Sequence, residues 1–102
     1  MQIIENWAEI DGKVTDISPS DNIEKFYAVE VRVEKVNGIK GFVNLIDDIA
    51  GKTVTIYMPS EIVEEKEIVL GSRIQSQVRK ASRQRLFAHR DHVETNPKIQ
   101  EY

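Results

Sequence analysis

From Phe26 to Val36 the side chains alternate: Tyr27, Val29, Val31 and Val33 fall on one parity, and Ala28, Glu30, Arg32 and Glu34 on the other. A two-residue period marks a strand with one buried and one wetted face. The same period recurs upstream, where Ala8, Ile10, Gly12 and Val14 alternate with Glu9, Asp11, Lys13 and Thr15. It returns downstream, with Val54, Ile56 and Met58 set against Thr53, Thr55 and Tyr57. Strands of this kind restrict the chain to an all-β design in which Ile10, Val14, Val29, Val31, Val33, Val54, Ile56, Ile74 and Val78 line one closed core.

Interruptions of the pattern locate the connections. Ile17 breaks the parity of the first strand, as a bulge or strand end would, and Gly12 within the run predicts a bend or a close backbone approach. Ser18–Asn22 reads as a loop, and Asn37-Gly38 as a tight turn ending the Phe26–Val36 strand. Phe42–Ile46 fits either a short strand or an ordered loop. Pro59 stops the third strand at Met58, and Ser60 is the expected N-cap of a two-turn helix over residues 60–67. Strands over Ser72–Ala81 and Arg85–Val93 follow, joined by a polar turn at Ser82–Gln84. The expected domain spans residues 1–93, with a loose tail over 94–102.

A chain of 102 residues, 40% hydrophobic and 30% charged, suits one compact core. With no cysteine, disulfides and thiolate metal sites are excluded. Glu5 and Glu9 interrupt the start where a signal peptide needs an apolar run, and nothing approaches the ~18 apolar residues of a membrane span. A cytoplasmic protein is expected.

The net charge of −3 is unevenly spread. Residues 1–70 hold 7 Lys+Arg against 14 Asp+Glu, whereas residues 71–102 hold 7 against 3. Arg73, Arg79, Lys80, Arg83, Arg85 and Arg90 follow one another with no acid between Gly71 and Arg90. The planar guanidinium fork suits phosphate and base stacking, so the run points to a polyanion partner, and equally fits a solvated strand pair.

The order strand, strand, strand, short helix, strand, strand resembles the five-stranded Greek-key barrel of the oligonucleotide/oligosaccharide-binding (OB) fold. At residue level, the stretch Gly41–Tyr57, the acidic segment 60–67 and Leu70–Ile74 resemble the OB repeats of archaeal replication protein A. The matching positions are Asp48 and Gly51 of an Asp-x-x-Gly turn, Tyr57 as the aromatic ending the third strand, and Gly71 before the fourth. The resemblance implies binding of single-stranded DNA or RNA.

Such a site needs cations that track phosphates and exposed aromatic faces for bases. Arg73, Arg79, Lys80, Arg83, Arg85 and Arg90 are the candidate cations, and Tyr57 and Phe87 the candidate platforms. Tyr57 takes the outward parity if Val54 and Ile56 face the core; the alternative is a tyrosine that only covers the barrel's flank. Phe87 shares the parity of Arg85 and His89, and is exposed if Leu86 and Ala88 point inward; otherwise it belongs to the core. Trp7 is expected to pack the barrel end. Glu30 and Glu34 flank Arg32 and would repel phosphates, which moves the expected groove to strands four and five and the edge of strand three.

Enzymatic readings find little support. His89 and His92, at i and i+3 on a strand, are expected on opposite faces with no third ligand, and Asp47-Asp48 fits a backbone turn better than a cation site. Neither Ser60 nor Ser82 has a His/Asp constellation nearby to activate it. No cofactor, metal or catalytic residue is expected. The alternative function is a protein-interaction barrel that binds itself or a partner, which the acidic pI of 5.4 favours.

Overall fold

The structure is a computed structural model and describes residues 5–20 and 23–95. Strands β1 (Ala8–Pro19), β2 (Phe26–Gly38), β3 (Thr53–Pro59), β4 (Arg73–Lys80) and β5 (Leu86–Thr95) form a closed barrel in the order β1-β2-β3-β5-β4. All pairings are antiparallel except β3 with β5, which meet in parallel at Ile56↔Leu86 and Tyr57↔Phe87. A short helix, α1 (Ser60–Glu65), joins β3 to β4. Closure leaves no long exposed sheet edge and turns one face of every strand toward a common interior.

The core follows the parity of the sequence. Ile10, Val14, Val29, Val31, Val33, Ile56, Ile74 and Val78 are all buried, whereas Val54 is half-buried and packs against their rim. Burying each such side chain stabilises the fold by about 1.5–3 kcal/mol. Ile46 and Ile49 from the β2–β3 connection and Ile62, Val63 and Ile68 from around α1 join the same cluster.

β1 pairs with β2 along its whole length and with β4 over Ala8–Lys13. Its register against β2 shifts between Asp11 and Gly12 and again between Val14 and Asp16, which explains the parity change at Ile17. At Gly12 the neighbouring strand comes so close that a Cβ would lie 2.6 Å from the Arg32 carbonyl oxygen and 2.6 Å from Val31 Cγ1. Thr15, the residue left out of the ladder, turns its hydroxyl to Glu30, donating to Oε1 at 2.8 Å.

Three connections differ from expectation. Asn37-Gly38 does not turn: both residues continue β2, opposite Glu9 and Ala8, and neither has a positive φ. The early part of β1 supplies ladder partners there, and the chain turns instead at Ile39–Phe42, where Gly41 takes φ 94° and Phe42 N–H bonds the Ile39 carbonyl at 3.0 Å. Likewise Ser18 and Pro19 remain in β1, opposite Ala28 and Tyr27. Ser60 is the first residue of α1 and Pro59 occupies the cap; the Ser60 hydroxyl instead donates to the Lys25 carbonyl at 3.2 Å, tying α1 to the β1–β2 loop.

Phe42–Ile46 is an ordered loop with one isolated bridge, Val43 to Asn6, and leads into a 3₁₀ turn over Asp47–Ile49. The Ser82–Gln84 turn is confirmed, with Arg83 and Gln84 both at φ 60°. Glu94 and Thr95 extend β5, pairing with Gln75 and Ile74, and residues 96–102 of the expected tail lie outside the described residues.

Candidate nucleic-acid interface

The outward parity of four adjacent strands sets one row of residues across the barrel. Ala28 on β2 faces Tyr57 on β3, Tyr57 faces Phe87 on β5, and Phe87 faces Arg79 on β4. Leu86 and Ala88 are buried, so Phe87 points outward and is half-buried among its neighbours. Tyr57, between buried Ile56 and Met58, does the same. Their rings lie 5.6 Å apart between centroids, tilted by 36°.

Two further groups complete this cluster. Phe26, on the outward parity of Ala28, packs edge-on against Phe87 with centroids 6.0 Å apart. Arg79 places its guanidinium carbon 5.6 Å from the Phe87 centroid. Phe26, Pro59, Arg79 and Phe87 line an open groove of ≈ 720 Å³, whose rim also carries Lys25 and Arg90 and the carboxylates of Glu24 and Glu61. Tyr57 borders a second, smaller groove of ≈ 380 Å³ with Thr55, Lys80 and Arg85.

No protein-family model matches the chain, and no curated protein matches it.

The six candidate cations divide into distinct environments. Arg73 lies at the far end of β4, about 20 Å along the strand from Arg79, and binds both oxygens of Glu34 at 2.9 Å. Arg90 borders the larger groove but pairs with Glu61 at 3.1 Å. Among the described residues Arg79, Lys80, Arg83 and Arg85 have no carboxylate within ion-pair distance. Lys80 carries the core parity of β4, yet reaches the rim because the strand ends there; its side chain lines the smaller groove with Arg85. Arg83 is exposed on the β4–β5 turn. The structure thus gathers Tyr57, Phe87, Arg79, Lys80, Arg83 and Arg85 near one end of the barrel and sets Arg73 apart.

Two residues at this end of the barrel, Phe26 and Asn6, are not among the candidates named from the sequence, and a third, His92, is placed otherwise than expected. Phe26 was legible, since it shares parity with Ala28 and Glu30. Asn6, 4% exposed, clamps the end of β4 from both sides, its Nδ2–H donating to the Lys80 carbonyl at 3.1 Å and its Oδ1 accepting Lys80 N–H at 2.7 Å. No strand pattern reveals such a long-range bond. His92 was expected on the face opposite His89, but the rings pack at 4.5 Å. The cause is an irregularity in the β4–β5 ladder: Ser76 pairs with Val93 and Val78 with Ala88, so four residues of β5 oppose Gln77 alone.

Proposed function

We propose that this barrel binds single-stranded nucleic acid, DNA or RNA, without enzymatic turnover and in the cytoplasm, as a member of the OB type that its strand order and helix position resemble. The observation that carries the reading is the Tyr57–Phe87–Arg79 row, where two outward rings adjoin a guanidinium on three neighbouring strands. A cation–π contact is worth about 0.5–1 kcal/mol when exposed and about 2 kcal/mol when desolvated, and a base stacked on an aromatic ring about 1–3 kcal/mol. A base stacked on Phe87 thus competes with the Arg79 guanidinium for the ring, and the released guanidinium serves the adjoining phosphate. Arg90 is available in the same way, because its pair with Glu61 is exposed and worth about 0–1 kcal/mol.

The test is fluorescence anisotropy of labelled single-stranded oligonucleotides at low salt. Saturable binding that is lost on reversing Arg79 and Arg85 to glutamate supports the reading. A second function, docking of a protein partner, is favoured by the exposed apolar side chains Phe42, Val43, Leu45, Val69 and Leu70. Absence of binding to any oligonucleotide would leave that second function in front.

A further inference from the structure

Beside the Tyr57–Phe87 pair the barrel carries a second group of rings. Ala8 is buried and pairs with Val78, so Trp7, one residue earlier and half-buried, takes the outward parity level with Arg79. Phe87 pairs with Arg79 from β5, and Trp7 immediately precedes Ala8, whose partner on β4 is Val78, the neighbour of Arg79. The indole packs against His89 with centroids 4.7 Å apart at 52°, and His89 packs in turn against His92 at 4.5 Å. The His89 ring is oriented by the backbone N–H of Asp91, which donates to its Nδ1 at 3.1 Å.

The spacing joins the two groups into one path. His89 follows Phe87 by two residues on β5, a step of about 6.6 Å along the same face. The irregularity opposite Gln77 then brings His92 back beside His89, where a regular strand would turn it away. A ring that only covered the barrel end would not need three aromatic groups on the outer parity next to an arginine lacking a carboxylate partner among the described residues.

We propose that Trp7, His89 and His92 form a second stacking platform for the same single strand, which crosses the barrel from Tyr57 and Phe87, past Arg79, to Trp7. The proposal rests on the single-strand binding argued above and adds a direction and an end point to it.

Trp7 is the only tryptophan in the chain, so its emission reports this platform directly. The experiment is a titration with a labelled oligothymidylate of about 12 nucleotides, within the range of sites on such barrels, reading label anisotropy and Trp7 emission together. Emission should change with the same midpoint as anisotropy. Trp7→Ala and His92→Ala should each weaken binding by about fivefold or more, whereas Trp7→Phe, which keeps a ring, should bind within about twofold of the parent. His92 is exposed, so its variant stays folded even if Trp7→Ala does not. Saturating anisotropy with unchanged Trp7 emission, or an unaffected His92→Ala, overturns the second platform and leaves the Phe87 site standing. Absence of any anisotropy change overturns both.

Discussion

Phe87 gathers the chemistry of this surface because three different strands bring a partner to its ring. Phe26 packs nearly perpendicular to it from β2, Tyr57 lies beside it from β3, and Arg79 approaches from β4. Its side chain is nevertheless outside the core, so truncation should cost well below the ~3–5 kcal/mol of a buried phenylalanine. Tyr57→Ala and Phe87→Ala are expected to weaken single-strand binding at least about fivefold each, the loss of one stacked base, with melting curves close to the parent's. A collapse of the melting curve for Phe87→Ala would instead mean that the ring supports the fold. The outward parity of Tyr57 was legible from the apolar alternation of Val54, Ile56 and Met58, whereas the sequence left Phe87 open between surface and core, and the burial of Leu86 and Ala88 on either side decides for the surface. The mutual contact of the rings was not legible, since it depends on the parallel β3–β5 register, which neither strand's own pattern specifies.

At the scale of elements, local signals held where the ladder had no competing use for the residues and failed where it had. Asn37-Gly38 has the chemistry of a tight turn, yet Glu9 and Ala8 offer β-ladder partners, and the backbone stays extended. Gly12, with no room for a Cβ, was recognisable as a close approach from its place inside an apolar run. The joint between the start of β1 and the end of β4 is made by Asn6, whose buried amide is bonded on both sides to Lys80. Asn6→Ala leaves a buried donor and acceptor without these bonds, and the expected loss is about 1–3 kcal/mol, read as a lowered melting temperature. β4 also separates two kinds of arginine. Arg73 sits about 20 Å along β4 from Arg79, at the end away from Phe87, so Arg79→Glu should abolish oligonucleotide binding while Arg73→Glu changes it by about twofold or less. Equal effects of the two would show that the surface responds to overall charge alone.

Across the whole molecule the charges are sorted, and this sorting decides how an acidic chain would hold a polyanion. The net charge is −3, but the acids concentrate in the first seventy residues and the acid-free run spans Gly71 to Arg90. In the barrel, Glu30 and Glu34 lie along β2 toward Thr15 and Arg73, whereas Arg79, Lys80, Arg83 and Arg85 cluster about the β4–β5 turn. Long-range attraction from the protein as a whole is therefore weak, and the electrostatic part of binding comes from those local cations. Each phosphate contact to a single strand contributes a slope of about −0.7 to log K against log salt, so four such cations predict a slope of about −3. Stacking on Tyr57 and Phe87 survives salt, which predicts residual binding at high salt that is weakened at least about fivefold in the doubly substituted Tyr57→Ala, Phe87→Ala protein. Affinities measured over a range of sodium chloride concentrations check both statements. A slope near zero would remove the four cations from the phosphate path, and a slope of about −3 that the double variant shares without losing residual affinity would remove the rings from the site.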